Sequence, residues 1–227
     1  MTGAALSAPR IAVLGAGHTG PVIARLAAEA GYPVSIAASG DPADIELITT
    51  ILAPGARPRW AADAVRAADV VVLAIPLHRF ATVDPVLVAG KVVVDTMNYW
   101  PPVDGRQPMF DDHGRGSSEI VQQRLAGSTV VKTLNHIGYH ELDADRRPAG
   151  SPRRRALGVA GDDPGAVDIV SEIVERIGYD TVRLAGLRAG RILQPGGPVF
   201  GVALDRTDFE LAVGVDAAAP IPQKDLT

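Results

Sequence analysis

Apolar positions in this chain follow two patterns that alternate along its length. Short, nearly solid apolar runs fall at Ile11–Leu14, Val34–Ala38, Asp69–Ile75, Lys91–Asp95 and Val130–Leu134. Runs of this kind belong to strands of a parallel sheet covered on both faces. Between them, apolar residues recur three or four apart over Pro21–Ala30, Asp44–Leu52, Asp63–Ala67 and Ser117–Leu125, which predicts helices. Arg57–Trp60 is a short strand between two of these. Up to Asp95 the pattern reads β-α-β-α-β-α-β-α-β, and right-handed crossovers wind such a chain into a doubly wound sheet. A further unit follows, with a strand at Ala156–Gly161, a helix opened by Asp162-Asp163-Pro164 and a strand at Tyr179–Leu184. That helix carries Val167, Val170, Ile173, Val174 and Ile177 on one face. Beyond Gly186 the periodicity fades, Pro195-Gly196-Gly197-Pro198 is a turn, and 217–227 reads as a mobile tail. Val103–Arg115 and Asp143–Arg155 are polar and are expected as solvated loops, the run Arg153-Arg154-Arg155 included.

The turn after the first strand is the most informative stretch. Gly15, Gly17 and Gly20 stand in G-x-G-x-x-G spacing, with Ala16, His18 and Thr19 between them, and the predicted helix follows at once. The first glycine permits a sharp turn, the second lets a pyrophosphate approach the backbone, and the third lets helix pack on strand. The helix N-terminus adds unpaired N–H groups for the phosphate charge. Strand, turn and helix in that order predict dinucleotide binding, and with it a Rossmann-type, mostly parallel α/β sheet with a small C-terminal β-α-β extension. Residues 1–150 are expected to form the dinucleotide-binding domain, and 151–227 an extension that completes the acceptor side of the cleft.

The end of the second strand selects between nucleotides. NAD sites place an Asp or Glu there for the ribose hydroxyls, but this chain has Ala37-Ala38-Ser39-Gly40. Without the carboxylate a 2′-phosphate is admitted, Ser39 can bond it, and Arg57 or Arg59 can supply positive charge. Asp41 suits the cap of the next helix. Other strand ends complete a cleft: Pro76-Leu77-His78, Thr96 to Pro102, and Asn135-His136. His136 is the candidate proton donor to a bound ring, since imidazole titrates near neutrality; the competing reading is a packing histidine.

Composition narrows the partners. A net charge of −4 and an aromatic fraction of 4% give no basis for nucleic-acid binding. The absence of Cys excludes disulfides, thiolate chemistry and Cys-ligated zinc. No apolar run is long enough for a membrane helix and the start does not read as a signal peptide, so a cytoplasmic protein is expected. Asp111-Asp112-His113 and the His136/His140 pair resemble metal ligands superficially. Consecutive residues rarely converge on one ion, and Gly138 weakens a helix between the two histidines, so no metal is expected. No G-x-S-x-G nucleophile motif is present. The alternatives to a simple hydride-transfer enzyme are a non-catalytic NADP sensor and a carbonyl or imine dehydrogenase; the latter wants a Lys or Asp general acid beside the nicotinamide, and Lys91, Lys132 and Lys224 are the only lysines.

These residues, taken in order, resemble the coenzyme F420-dependent NADP oxidoreductase family. The resemblance is carried by Gly15 to Gly20, Ser39, Ala68–Pro76, Lys91–Asp95, Ser118-Glu119-Ile120-Val121, Asn135-His136 and Gly161-Asp162-Asp163. It spans about Arg10 to about Pro195, and the ferric-reductase domains of a membrane metalloreductase family share the pattern. It implies that Gly15, Gly17, His18, Thr19 and Gly20 hold the NADP pyrophosphate, and Ser39, Gly40 and Arg59 the 2′-phosphate. It implies that Ala74, Ile75, Pro76 and His78 border the nicotinamide ribose. A deazaflavin co-substrate such as coenzyme F420, or a flavin or ferric acceptor, would lie near Asn98, Tyr99, Asn135 and His136. The resemblance also implies a homodimer. Gly40 stands where archetypal members place an Arg, and the glycine loop is one residue shorter than theirs.

Overall fold

The computed structural model describes residues 8–110 and 114–216. The chain opens with β1 (Ile11–Leu14), α1 (Thr19–Glu29), β2 (Val34–Ala37), α2 (Glu46–Leu52), β3 (Arg57–Pro58), α3 (Ala61–Ala67), β4 (Val70–Leu73) and β5 (Val92–Asp95). It continues through α4 (Pro101–Asp104), α5 (Ser117–Arg124), β6 (Thr129–Lys132), α6 (Tyr139–Ala144), β7 (Ala156–Gly161), α7 (Pro164–Arg176), β8 (Asp180–Ala185) and α8 (Arg206–Asp216). All eight strands form one sheet in the order β3-β2-β1-β4-β5-β6-β7-β8. Every pairing from β3 to β6 is parallel, β7 runs antiparallel to β6, and β8 is parallel to β7. The fold is therefore the Rossmann-type, mostly parallel α/β sheet that the alternating pattern predicts.

Successive strand residues point to opposite faces, and this divides the core in two. Ile11, Val13, Val70, Val72, Val94 and Val131 pack with α1 and α7 residues such as Ile23, Leu26, Val170 and Val174. Ala12, Val71, Leu73, Val93 and Val130 face the other way, toward Ala64, Val65, Ile120 and Val121 of α3 and α5. Chain progression reverses between β1 and β4, and at such a switch point open α/β sheets bind ligands, beyond the carboxyl ends of the strands.

Three expectations change. The fourth helix of the expected alternation is absent: a 3₁₀ segment, Leu77–Thr82, joins β4 to β5 instead. Leu77 and Phe80 within it, and Val83 just after it, are buried, a spacing of three that matches the 3₁₀ turn rather than the α-helix. The aperiodic C-terminal stretch contains α8, opened by Asp205, whose carboxylate accepts from the Asp208 N–H at 3.0 Å, with Phe209 as its buried anchor. The Arg153–Arg155 run is not a solvated loop. Arg154 is buried and pairs with Asp180 at 2.8 Å, and Arg155 is buried between Glu141 at 3.0 Å and Asp145 at 2.6 Å. Arg153 alone of the three is exposed, beside Asp205 and Asp208. The expectations for Asp111-Asp112-His113 and for 217–227 lie outside the described residues. No helix among the described residues is long and apolar enough to cross a membrane.

Candidate active site

The three motif glycines have different structural duties. Gly15 sits at φ +123°, and a Cβ placed on it would lie 2.2 Å from the Ala74 carbonyl oxygen. A Cβ on Gly20 would lie 1.9 Å from the Gly15 carbonyl oxygen. Both are backbone collisions, so these two positions hold β1, β4 and α1 together. Gly17 is exposed, and a Cβ there would meet nothing within 4 Å. The space in front of it is open to an incoming group. His18 caps α1 with helical φ and ψ, and its side chain makes no cap hydrogen bond. The first-turn N–H groups therefore lack a side-chain acceptor, which is the arrangement that receives an anion. The His18 ring leans instead on Tyr139 of α6, stacked at 5.1 Å between centroids, while Thr19 opens α1.

On the β2 side, Ser39 and Gly40 are exposed in the turn beyond the strand. Asp41 does cap the following 3₁₀ turn, accepting from the Ala43 N–H at 2.9 Å. Arg59 is held beside this turn by its own N–H, which donates to the Ile36 carbonyl at 3.0 Å. The Arg57 and Arg59 side chains are exposed and form no ion pair among the described residues. Charge is thus available next to a serine and a glycine, with no strand-end carboxylate opposing it.

On the β4 and β5 side, the Ala74 N–H donates to the Leu14 carbonyl at 2.9 Å, which locks the strand end against the glycine turn. Ala74 and Ile75 are half-buried and Pro76 is exposed. His78 is half-exposed, its Nδ1 3.0 Å from the Asp104 carboxylate. Asp104 is buried and also accepts from the backbone N–H groups of His78 at 3.3 Å and Trp100 at 2.8 Å. Sequence reading left Asp104 in a polar loop; the available signal was Pro101-Pro102, which suits the first turn of a helix. The Tyr99 hydroxyl accepts from the Gln107 N–H at 2.9 Å, so Tyr99 braces the same segment.

Asn98 and Asn135 face each other across the ends of β5 and β6. Asn98 donates from Nδ2 to the Asn135 carbonyl at 2.6 Å, and Asn135 donates from Nδ2 to Asn98 Oδ1 at 2.9 Å. A further Asn135 bond reaches the Leu193 carbonyl at 2.5 Å, tying in the segment after β8. Leu134, just before it, adopts φ +61°, a left-handed conformation that costs a branched residue free energy and recurs at functional sites. Beneath this pair lies a buried network that sequence reading missed. Lys132 and Asp95 are fully buried 3.7 Å apart, Ser118 donates to Asp95 at 2.6 Å, and Asp95 accepts from the Met97 N–H at 2.9 Å. Burial pushes the Lys132 ammonium pKa down, against the opposing pull of Asp95.

His136 does not serve as the expected proton donor. It is 1% exposed, and its Nε2 accepts from the Gly158 N–H at 3.1 Å. The ring proton then resides on Nδ1, 3.3 Å from Asn135 Oδ1. Burial, followed by the nearby charges of Arg155 and Lys132, drives its pKa down to about 3. A neutral imidazole with both nitrogens occupied holds β6 to β7 and carries no proton to a ligand. His140 is exposed on α6, so the His136/His140 pair does not converge, and the described residues contain no cluster of three metal-ligating side chains.

The fold and glycine turn are those of a dinucleotide-binding α/β protein, and similar proteins narrow the class. The family model described as NADP oxidoreductase, coenzyme F420-dependent, matches residues 10–99. A hypothetical protein from Sinorhizobium meliloti is 31% identical, with 87% of this chain and 95% of that one covered and a TM-score of 0.75. A protein from Arthrobacter sp. FB24, provisionally assigned as an F420-dependent NADP-reductase, is 24% identical over 81% of this chain and 87% of its own, with a TM-score of 0.67. An imine reductase from Pseudomonas sp. shares the fold at 16% identity and a TM-score of 0.54, with 92% of this chain and 62% of that one covered. No curated protein matches the chain. The chain belongs to the coenzyme F420-dependent NADP oxidoreductase family. At that level it is an NAD(P)-dependent oxidoreductase.

Proposed function

We propose that this protein transfers a hydride between NADP(H) and a deazaflavin of the coenzyme F420 type, with flavin and ferric acceptors as competing partners for the same cleft. The observation that carries the reading is the glycine turn, where two glycines are excluded from substitution by backbone collisions and the third faces open space. Such a cradle fits a pyrophosphate, and the uncapped start of α1 supplies its hydrogen bonds. When bound, NADPH supplies the hydride. The protein contributes position: the Ala74–Pro76 edge and the Asn98–Asn135 pair offer a neutral, amide-lined wall suited to a planar heterocycle, and a closed wall excludes water. Ser39, Gly40 and Arg59 support NADP over NAD. Residues 151–227 complete the acceptor side, a role supported by the Leu193 and Gly158 bonds to Asn135 and His136. Exposed Leu47, Ile48, Ile51 and Leu52 on α2 support a homodimer, which light scattering would test.

The deciding experiment mixes protein and NADPH with oxidised deazaflavin, FMN and a ferric chelate, and follows loss of acceptor absorbance. Rapid deazaflavin bleaching with NADPH and slow bleaching with NADH is the expected result. Turnover of a cyclic imine in place of all three would establish the dehydrogenase alternative. Tight NADPH binding with no turnover of any of them would establish the sensor.

A further inference from the structure

With His136 sealed in the core, the candidate cleft needs another source for the proton that accompanies a hydride. We propose that His78 is the catalytic residue that delivers it, and that Asp104 is its positioning residue. This inference rests on the hydride-transfer reading above. Of the described histidines, His18 is stacked on Tyr139, His136 is buried with both nitrogens engaged, and His140 is exposed on α6. His78 alone among them is paired with a buried carboxylate. It lies four residues beyond Ala74, whose carbonyl touches the Gly15 turn, and so stands at the carboxyl edge of β4 beside the switch point.

The pairing has a chemical consequence. Asp104 accepts from the Nδ1–H of His78 at 3.0 Å, and its backbone bonds to His78 and Trp100 fix the carboxylate itself. A ring held this way keeps one tautomer, with Nε2 turned away from the carboxylate. Nε2 has no partner among the described residues, and the side chain is 36% exposed. Trp100 and Val103, near Asp104 in the chain, are exposed apolar side chains. Hydride addition forms one C–H bond at a ring carbon of an oxidised deazaflavin, or one N–H bond at the corresponding ring nitrogen of a flavin, and leaves the electron pair on the ring as an anion. The imidazolium form of His78 gives its Nε2 proton to a ring nitrogen, becomes neutral, and is reprotonated from water at its exposed face. The sum is NADPH plus acceptor plus one proton giving NADP⁺ plus reduced acceptor. General-acid help of this kind contributes about 10²- to 10⁴-fold.

The test combines His78→Ala and Asp104→Asn with three readouts. For H78A, deazaflavin reduction is expected to slow by about 10²-fold, with the NADPH dissociation constant unchanged and activity restored by added imidazole. For D104N, kcat falls while KM for NADPH holds, and ¹⁵N NMR of the ligand-free protein shows His78 moving from the Nδ1–H form to mixed tautomers. Weakened NADPH binding with kcat retained in H78A would make His78 a ribose contact and overturn the inference. So would wild-type rates in H78A, or a slow variant that imidazole fails to rescue, and in each case hydride transfer itself would stand. If the wild-type protein binds NADPH yet reduces no acceptor, the hydride-transfer reading and this inference fall together.

Discussion

The two walls of the cleft are built on opposite principles. The wall at β1 is defined by missing atoms: Gly15 and Gly20 are tolerated only because each lacks a Cβ that would enter a neighbouring carbonyl. The wall at β5 and β6 is defined by added ones, an amide pair backed by a buried neutral histidine, with partners that come from residues 98, 135, 158 and 193. A steric wall is local, because turn, strand end and helix start are contiguous in the chain. A hydrogen-bonded wall is global, since each donor finds its acceptor only after the sheet has formed. The first should therefore fail abruptly on substitution, and the second should fail in proportion to the bonds removed.

Gly20→Ala should produce the largest effect. Its Cβ meets backbone, which has no rotamer to change, so α1 must shift away from β1. Urea unfolding should show a loss of about 3 kcal/mol, the upper range for overpacking, together with loss of NADPH binding. Gly17→Ala is the sharpening control. Its Cβ faces open space, so stability should stay within about 0.5 kcal/mol while NADPH affinity drops as the methyl meets the pyrophosphate. If G17A unfolds as readily as G20A, the open face is not a ligand face and the comparison breaks.

At the other wall, Asn135→Ala should cost about 2 kcal/mol, because it strands Asn98 Oδ1 and the Leu193 carbonyl without a donor. His136 sets a pH dependence on the same wall. Its folded pKa of about 3 lies below the ordinary 6.5, so the unfolded chain binds a proton that the folded chain refuses. Stability is complete above pH 6.5 and declines as pH falls toward 3, with about 2 kcal/mol lost by pH 5. Denaturant unfolding at pH 7 and pH 5 should show that gap in the wild type and a narrower one in His136→Gln. A gap that H136Q leaves unchanged would assign the acid sensitivity elsewhere.

What the sequence disclosed follows the same division. Strand runs and the glycine spacing are local signals, and they located the β1–β6 sheet and the turn at its switch point. Asp104 was hidden because its meaning depends on His78, which lies 26 residues earlier. Arg154 and Arg155 looked like surface charge because Asp180, Glu141 and Asp145 reach them only in the fold. His136 was misjudged for a related reason. A histidine at a strand end points toward a cleft when that edge is open, but β7 runs antiparallel against β6 and covers it. A short 3₁₀ segment in place of a helix was legible in retrospect from Leu77, Phe80 and Val83, three apart.

The smallest expected effect concerns the rim where the β1 wall continues to β2. Ser39, Gly40 and Arg59 are exposed, so their interactions with a 2′-phosphate would be partly screened by water and salt. Arg59→Ala should weaken NADPH binding by about tenfold, or about 1.4 kcal/mol, and leave NADH binding where it was, because NADH carries no 2′-phosphate. Ser39→Ala removes one neutral donor and should act in the same direction with a smaller change. Raising the salt concentration should shrink the R59A effect, since the interaction is between exposed charges, yet leave the G17A effect intact, since that one is steric. Equal losses for NADPH and NADH in R59A would instead mean that Arg59 supports the turn itself. The rim would then belong with the steric wall, and the choice of nucleotide would have to be made elsewhere, with Arg57 the next basic side chain to replace.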